Sequence, residues 1–168
     1  MKYTELLNEN NPKVVMNIKN FGVIELQLFS ECAPKTVENF LKLAKKGFYD
    51  GLTFHRIIKG FMIQGGDPEG TGRGGSDEII IGEFKSNGIN NELEHTRGVI
   101  SMARAMNPNS ASSQFFIMHK DAPHLDGGYA AFGAVVSGIE VVDNIASTRT
   151  NHFDNPYDPV VIDYVKVL

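Results

Sequence analysis

A mainly β fold, a sandwich or barrel with two helices over its open ends, is what the sequence predicts, and three observations carry it. Apolar residues recur at alternate positions in several short runs, and only two stretches show helical spacing. The order of a strand pair, a helix, further strands, a second helix and a last strand lets the helices cover the ends of a closed sheet. Closure would also remove exposed strand edges. At 168 residues the chain suits one domain with its own core.

Taken in order, residues 1–12 lack periodicity and end in Asn10-Asn11-Pro12, so they read as an N-terminal extension or weakly ordered arm, with the domain spanning 13–168. Val14, Met16 and Ile18 alternate with polar or neutral neighbours, Asn20-Phe21-Gly22 supplies a turn, and Ile24, Leu26 and Leu28 alternate with Glu25 and Gln27. Pro34 suits the first turn of a helix with Val37, Phe40, Leu41 and Ala44 on its apolar side. Gly47 suits its stop, and Glu38 is spaced to pair with Lys42. Strand-like pieces follow at 54–64, Ile79–Phe84, Val99–Ala103, Gln114–Met118 and Ala130–Val136. Ser137-Gly138-Ile139-Glu140 matches a capping box ahead of a short second helix, and Val160–Leu168 closes the chain as a strand.

Composition excludes several classes. No apolar run approaches the roughly 18 residues of a membrane span, and the polar N-terminus does not read as a signal peptide. The single Cys32 allows no internal disulfide, which points to a cytoplasmic protein. A net charge of -4 argues against a nucleic-acid partner. Lys42, Lys45 and Lys46 cluster at a helix end, where cations complement the dipole.

One stretch stands apart, Phe54-His55-Arg56-Ile57-Ile58-Lys59-Gly60-Phe61-Met62-Ile63-Gln64-Gly65-Gly66-Asp67. A two-residue loop would set Arg56 opposite Ile63 and mix polar with apolar side chains. A three-residue loop over Lys59, Gly60 and Phe61 pairs Arg56 with Gln64, Ile57 with Ile63 and Ile58 with Met62, because side chains alternate faces. The second register gives an outer face carrying Arg56, Met62 and Gln64 beside Phe61.

Familiar catalytic sites do not fit. The run Gly70-Thr71-Gly72-Arg73-Gly74-Gly75 resembles a phosphate cradle but lacks a following helix, so it reads as a structural loop. Neither His119 and His124 nor any pair among His55, His95 and His152 has metal-ligand spacing, so no metal is expected, and His55 reads as a satisfied structural histidine. Ser110, Ser112 and Ser113 carry no nucleophile elbow. What remains is a groove with a permanent cation, two amides and several Phe and Met, which suits a reaction that breaks no bond.

The central stretch, with Ser101-Met102-Ala103, Ser113-Gln114-Phe115-Phe116-Ile117, Leu125-Asp126-Gly127, Phe132-Gly133 and the helix segment Ala33–Phe40, closely resembles the cyclophilin family of peptidyl-prolyl cis-trans isomerases, in the manner of single-domain bacterial members. The resemblance spans about Lys13 to Leu168. It implies a closed eight-stranded antiparallel β-barrel capped by two α-helices, no cofactor, and rotation about X-Pro bonds in peptides and folding proteins. Arg56 matches the catalytic arginine. Phe61, Met62, Phe116 and Leu125 match the pocket for the proline ring, and Gln64 and Gln114 match the polar groups beside it. Ala103 and Arg104 match the segment that contacts the residue before proline, with Arg104 where eukaryotic members commonly have asparagine. Tyr129 lies where many members have histidine. His124 falls where cyclosporin-sensitive members carry tryptophan, so weak cyclosporin binding is expected. A monomer with proline-containing partners, and no membrane or nucleic-acid partner, completes the expectation. The same groove also suits a module or holdase that grips Pro-containing segments without turning them.

Overall fold

The computed structural model describes residues 1–168. One antiparallel sheet is built from β1 (Lys13–Ile18), β2 (Gly22–Leu28), β3 (Arg56–Ile58), β4 (Met62–Gly65), β5 (Val99–Met102), β6 (Phe115–Met118), β7 (Ala131–Ser137) and β8 (Ile162–Val167). Its strand order is β3-β4-β6-β5-β7-β2-β1-β8. The sheet curls until its two ends meet. No ladder joins β3 to β8; the segments ahead of them are linked by a bridge at Thr53 and Val161, with Phe54 N–H donating to Val160 O at 2.9 Å and Ile162 N–H to Leu52 O at 2.8 Å. The expected barrel is therefore an eight-stranded curled sheet stitched shut by loop backbone.

Alternation along the strands sorts side chains into two layers. Ile57, Ile63, Ile100, Met102, Phe115 and Ile117 turn inward and join Phe40, Tyr49, Phe54 and Phe132 in the main core. Their neighbours Ile58, Met62, Val99, Phe116 and Met118 turn outward into a second cluster with Leu125 and Ala131. That second layer forms the wall on which the candidate site stands.

Helix α1 (Pro34–Lys45) buries Val37, Phe40 and Leu43 on one side. Its N-terminus lacks a local cap; buried Glu83, far along the chain, accepts the Thr36 N–H and hydroxyl, both at 2.7 Å. A carboxylate there satisfies an orphan donor and meets the positive end of the helix dipole. Lys42 turns to Glu78 at 3.1 Å rather than to Glu38, so the expected within-helix pair does not form.

Helix α2 (Ile139–Ala146) also starts differently than expected. Ser137 is the last residue of β7, and Gly138, at φ 89°, is the N-cap with no side-chain bond. The capping box is absent because the left-handed Gly138 turns the chain straight from strand into helix. Ile79–Phe84 is not a strand either. Ile79 and Ile81 are exposed, and only Ile80 bridges, to Ala111. A side chain at Gly82 would collide with Pro108 O and the Phe84 ring, so this segment passes too close to its neighbours for a pleated pairing.

Residues 1–12 lie against the domain. Leu6 is buried with the second cluster, Glu94 N–H donates to Met1 O at 3.0 Å, and Lys2 Nζ pairs with Glu94 at 3.0 Å.

Candidate active site

The β3–β4 hairpin adopts the three-residue loop, with Arg56 opposite Gln64, Ile57 opposite Ile63 and Ile58 opposite Met62. Phe61 N–H closes the turn on Ile58 O at 3.0 Å, and Gly60 takes φ 82°, a conformation that favours glycine. The register places Arg56 and Gln64 on the outward face with Ile58 and Met62. Strand β4 also pairs with β6, setting Gln64 beside Phe116.

Nine of the ten residues singled out in the sequence meet around one cleft of about 170 Å³: Arg56, Phe61, Met62, Gln64, Ala103, Arg104, Phe116, Leu125 and Tyr129. Met62, Phe116 and Leu125 are buried and form its floor; Arg56 is exposed at its mouth. The tenth, Gln114, lines an adjoining polar cleft of similar volume with Gly72, Arg73, Gly74, Ser110 and Ser112. Gln64, Ala103 and Arg104 border both.

A directed hydrogen-bond chain connects the two clefts. Arg56 Nη1 donates to Gln64 Oε1 at 3.2 Å, Gln64 Nε2 to Gln114 Oε1 at 2.9 Å, and Gln114 Nε2 to Gly74 O at 2.8 Å. Every donor points the same way, so the bonds polarise one another. Arg56 forms no ion pair, and its exposed guanidinium makes no other hydrogen bond within the protein.

Arg104 is held quite differently. Its guanidinium lies 4.6 Å from the Tyr129 ring centroid and 5.0 Å from that of Phe84. Nε and Nη2 donate to Gly128 O, and Nη1 to Ala105 O and Met106 O. Four of its five N–H donors are spent on carbonyls, which makes it a strut between the two clefts rather than a free cation.

The glycine-rich loop behaves as the sequence suggested. Asp67, buried below it, accepts N–H bonds from Glu69, Thr71, Gly72 and Gly74, so the donors that a phosphate would need are occupied. Burial raises the Asp67 pKa, but these four bonds outweigh it and hold the carboxyl below its ordinary value. Next to this loop a Cβ at Gly66, φ 87°, would lie 2.7 Å from Ser113 O, so only glycine lets β4 leave the sheet there.

His55 is not the satisfied histidine expected. It is buried with Nδ1 unpartnered, and burial, with a lesser push from Arg56, lowers its pKa although Asp67 opposes. Cys32 offers no nucleophile, since burial pushes its thiol up to about 11.

Sequence reasoning weighed His95 only as a metal ligand and missed its place behind the pocket. Its ring stacks on Phe116 at 6.0 Å and bonds to Asp126 at 2.9 Å and Ser101 at 2.8 Å, backing the pocket floor. Ser101 on β5 is fully buried and faces it, and that buried hydroxyl in an apolar strand was the available signal. Exposed His124 stacks on Phe61 at 5.8 Å.

A permanent cation beside an apolar slot, with amides to orient it and no nucleophile, can bind and polarise a neutral amide. Comparison with known proteins points the same way. The family model described as cyclophilin type peptidyl-prolyl cis-trans isomerase/CLD matches residues 13–167. Peptidyl-prolyl cis-trans isomerase ppi1 of Schizosaccharomyces pombe is 49% identical over 144 residues, 85% of this chain and 91% of that protein. A bacterial relative, the putative bifunctional phosphatase/peptidyl-prolyl cis-trans isomerase of Streptococcus pyogenes, is 41% identical and covers 97% of this chain with 40% of its own length. The crystal structure of a Cryptosporidium parvum cyclophilin type peptidyl-prolyl cis-trans isomerase in the presence of dipeptide Ala-Pro superposes with a TM-score of 0.85 at 35% identity, over 93% of this chain and 98% of that one.

Proposed function

The chain belongs to the cyclophilin-type peptidyl-prolyl cis-trans isomerases and carries their activity; from that premise we propose that Arg56 is its catalytic group and that the cleft over Met62, Phe116 and Leu125 takes the substrate's proline ring. The observation that carries this reading is a guanidinium with free donors, oriented by Gln64 and unneutralised by any carboxylate, at the mouth of an apolar slot.

Amide resonance gives the prolyl C–N bond a rotational barrier of about 18–20 kcal/mol. An acceleration on the order of 10⁵ requires about 7 kcal/mol of preferential stabilisation of the twisted state. On twisting, the proline nitrogen pyramidalises and gains a localised lone pair. Arg56 meets that lone pair with a charge-assisted hydrogen bond worth about 1.5–3 kcal/mol, and the planar ground state offers no such acceptor. The ring, held by Phe61, Met62, Phe116 and Leu125, stays fixed while the other side of the bond turns. Gln64 and Gln114 keep Arg56 in line, and Ala103, Arg104 and Tyr129 border the path of the residues before proline.

Proline-containing peptides and folding chains are the substrates under this reading. Cyclosporin, which loses an indole contact where His124 stands in place of tryptophan, binds weakly.

Arg56→Ala should lower kcat/KM by roughly 10²–10³, the loss expected for one preorganised donor. Magnetisation exchange on an Ala-Pro peptide measures this, and near-normal exchange in the variant would sink the assignment.

A further inference from the structure

The turn that presents Phe61 hangs from a histidine that no part of the mechanism uses. His119 follows β6 directly and is buried at 8% exposure. Its Nδ1 accepts the Gly60 N–H at 2.9 Å, and its own backbone N–H donates to Phe61 O at 2.8 Å. On the other side its Nε2 stands 3.1 Å from Asp143 Oδ1 on α2. Arg97, ahead of β5, clamps Asp143 with two bonds of 2.6 and 2.8 Å and reaches His119 O at 3.1 Å.

These partners fix the ring's state. A backbone N–H only donates, so Nδ1 must be bare; the proton then sits on Nε2, where Asp143 accepts it. A second proton would set an N–H against the N–H of Gly60, one residue from Phe61. We propose that His119 is a positioning residue for the isomerase: in its neutral form it holds the Gly60–Phe61 turn against the Asp143–Arg97 pair, and its protonation releases that turn and loosens the proline pocket. This rests on Phe61 lining the substrate cleft.

The surrounding charges agree with a neutral ring at pH 7. Burial comes first in lowering its pKa, the Arg97 and Lys120 cations add to that, and Asp143 pulls the other way. Asp121 is engaged by the Arg97 N–H, and Lys59, in the turn itself, is exposed. Because the folded ring titrates below the ordinary histidine value of 6.5, the contact still holds at that pH and weakens only as pH falls through the lower folded value.

The test joins nitrogen NMR with isomerase kinetics by magnetisation exchange from pH 8.5 to 5, using wild type, His119→Asn and His119→Leu. Asparagine places an acceptor near the position of Nδ1 without titrating; leucine removes it. In wild type, Nδ1 should resonate as an unprotonated nitrogen, and the Gly60 amide shift should follow the His119 titration. KM should rise about fivefold in acid beyond the rise in His119→Asn, the worth of one ordinary hydrogen bond. His119→Leu should show that higher KM throughout, with H119N restoring most of the loss at pH 8. An Nδ1–H tautomer, or a Gly60 amide indifferent to His119, would overturn the proposal whatever the kinetics. A Gly60 amide that follows His119 while KM in acid matches that of H119N would overturn the link to the pocket. Neither result depends on Arg56→Ala, which tests the catalytic assignment separately.

Discussion

Gln64 Nε2 donates to Gln114 Oε1 at 2.9 Å, joining two strands' ends so that the amide that holds Arg56 is itself held. Gln114 in turn is anchored to Gly74 O. Gln64→Ala should therefore lower kcat/KM about tenfold, through an Arg56 that keeps its charge and loses its aim. Gln114→Ala should cost less, about threefold, because Gln64 retains its bond to Arg56. In the double variant the losses should fall short of the product of the two, since the second bond has no purpose once Gln64 is gone. Strictly multiplicative losses in a double-mutant cycle would mean that the amides act independently.

Arg104 braces both clefts from the side. Cutting it to alanine removes its hydrogen bonds to the carbonyls of Gly128, Ala105 and Met106 and takes a cation from between Phe84 and Tyr129. The expected loss is about 1–2 kcal/mol of stability, a fall of about 2–8 °C in Tm for a chain of this size, with KM raised several-fold. Lysine keeps the charge but not the planar fork, so Arg104→Lys should not restore either quantity. Calorimetry on Arg104→Ala and Arg104→Lys decides; melting at the wild-type temperature in the alanine variant contradicts the strut.

The central hairpin was legible because its chemistry is lopsided. Only one register keeps Arg56 and Gln64 together and Ile57 with Ile63, and the chain takes it. The same period-two logic failed at Ile79–Phe84, where three isoleucines look like a strand but Gly82 runs against Pro108 and Phe84. Ser137 and Glu140 have the spacing of a capping box, yet the positive φ of Gly138 sets the helix start. His119 was tested only for metal spacing. Its partners Gly60 and Asp143 come from a hairpin and a helix far away in sequence, and no local pattern encodes such a meeting.

Asp67 should govern the acid stability of the loop beside the polar cleft. Because its carboxyl titrates below its ordinary 3.8 when folded, the stabilisation is present above that value and lost as pH falls through the lower folded value. Asp67→Asn removes the charge while leaving four N–H groups around one amide oxygen, at a cost of about 2–3 kcal/mol near neutrality. Its denaturation free energy should also fall less steeply than that of wild type as pH drops below 3.8, since asparagine does not titrate. Parallel curves for the two proteins over that range would place the acid sensitivity elsewhere.

The His124 imidazole stacks on Phe61 at 5.8 Å with 30° between the rings, occupying the flank where a bulkier aromatic would extend the apolar wall. Imidazole is smaller than indole, more polar, and exposed at this position, so a large apolar macrocycle gains little by covering it. Substituting His124→Trp enlarges the apolar rim without touching Arg56 or Gln64. At about 25 cal/mol per Å², burying a further 50–80 Å² of ring should strengthen cyclosporin binding by about 1–2 kcal/mol, roughly five- to thirtyfold. Turnover of a small Ala-Pro peptide should change far less, because the pocket proposed for its proline ring is the floor of Met62 and Phe116 rather than the rim. Fluorescence polarisation with labelled cyclosporin, run beside the exchange assay, separates the two. Nanomolar affinity in the wild-type chain would show that the drug does not need an indole at this position.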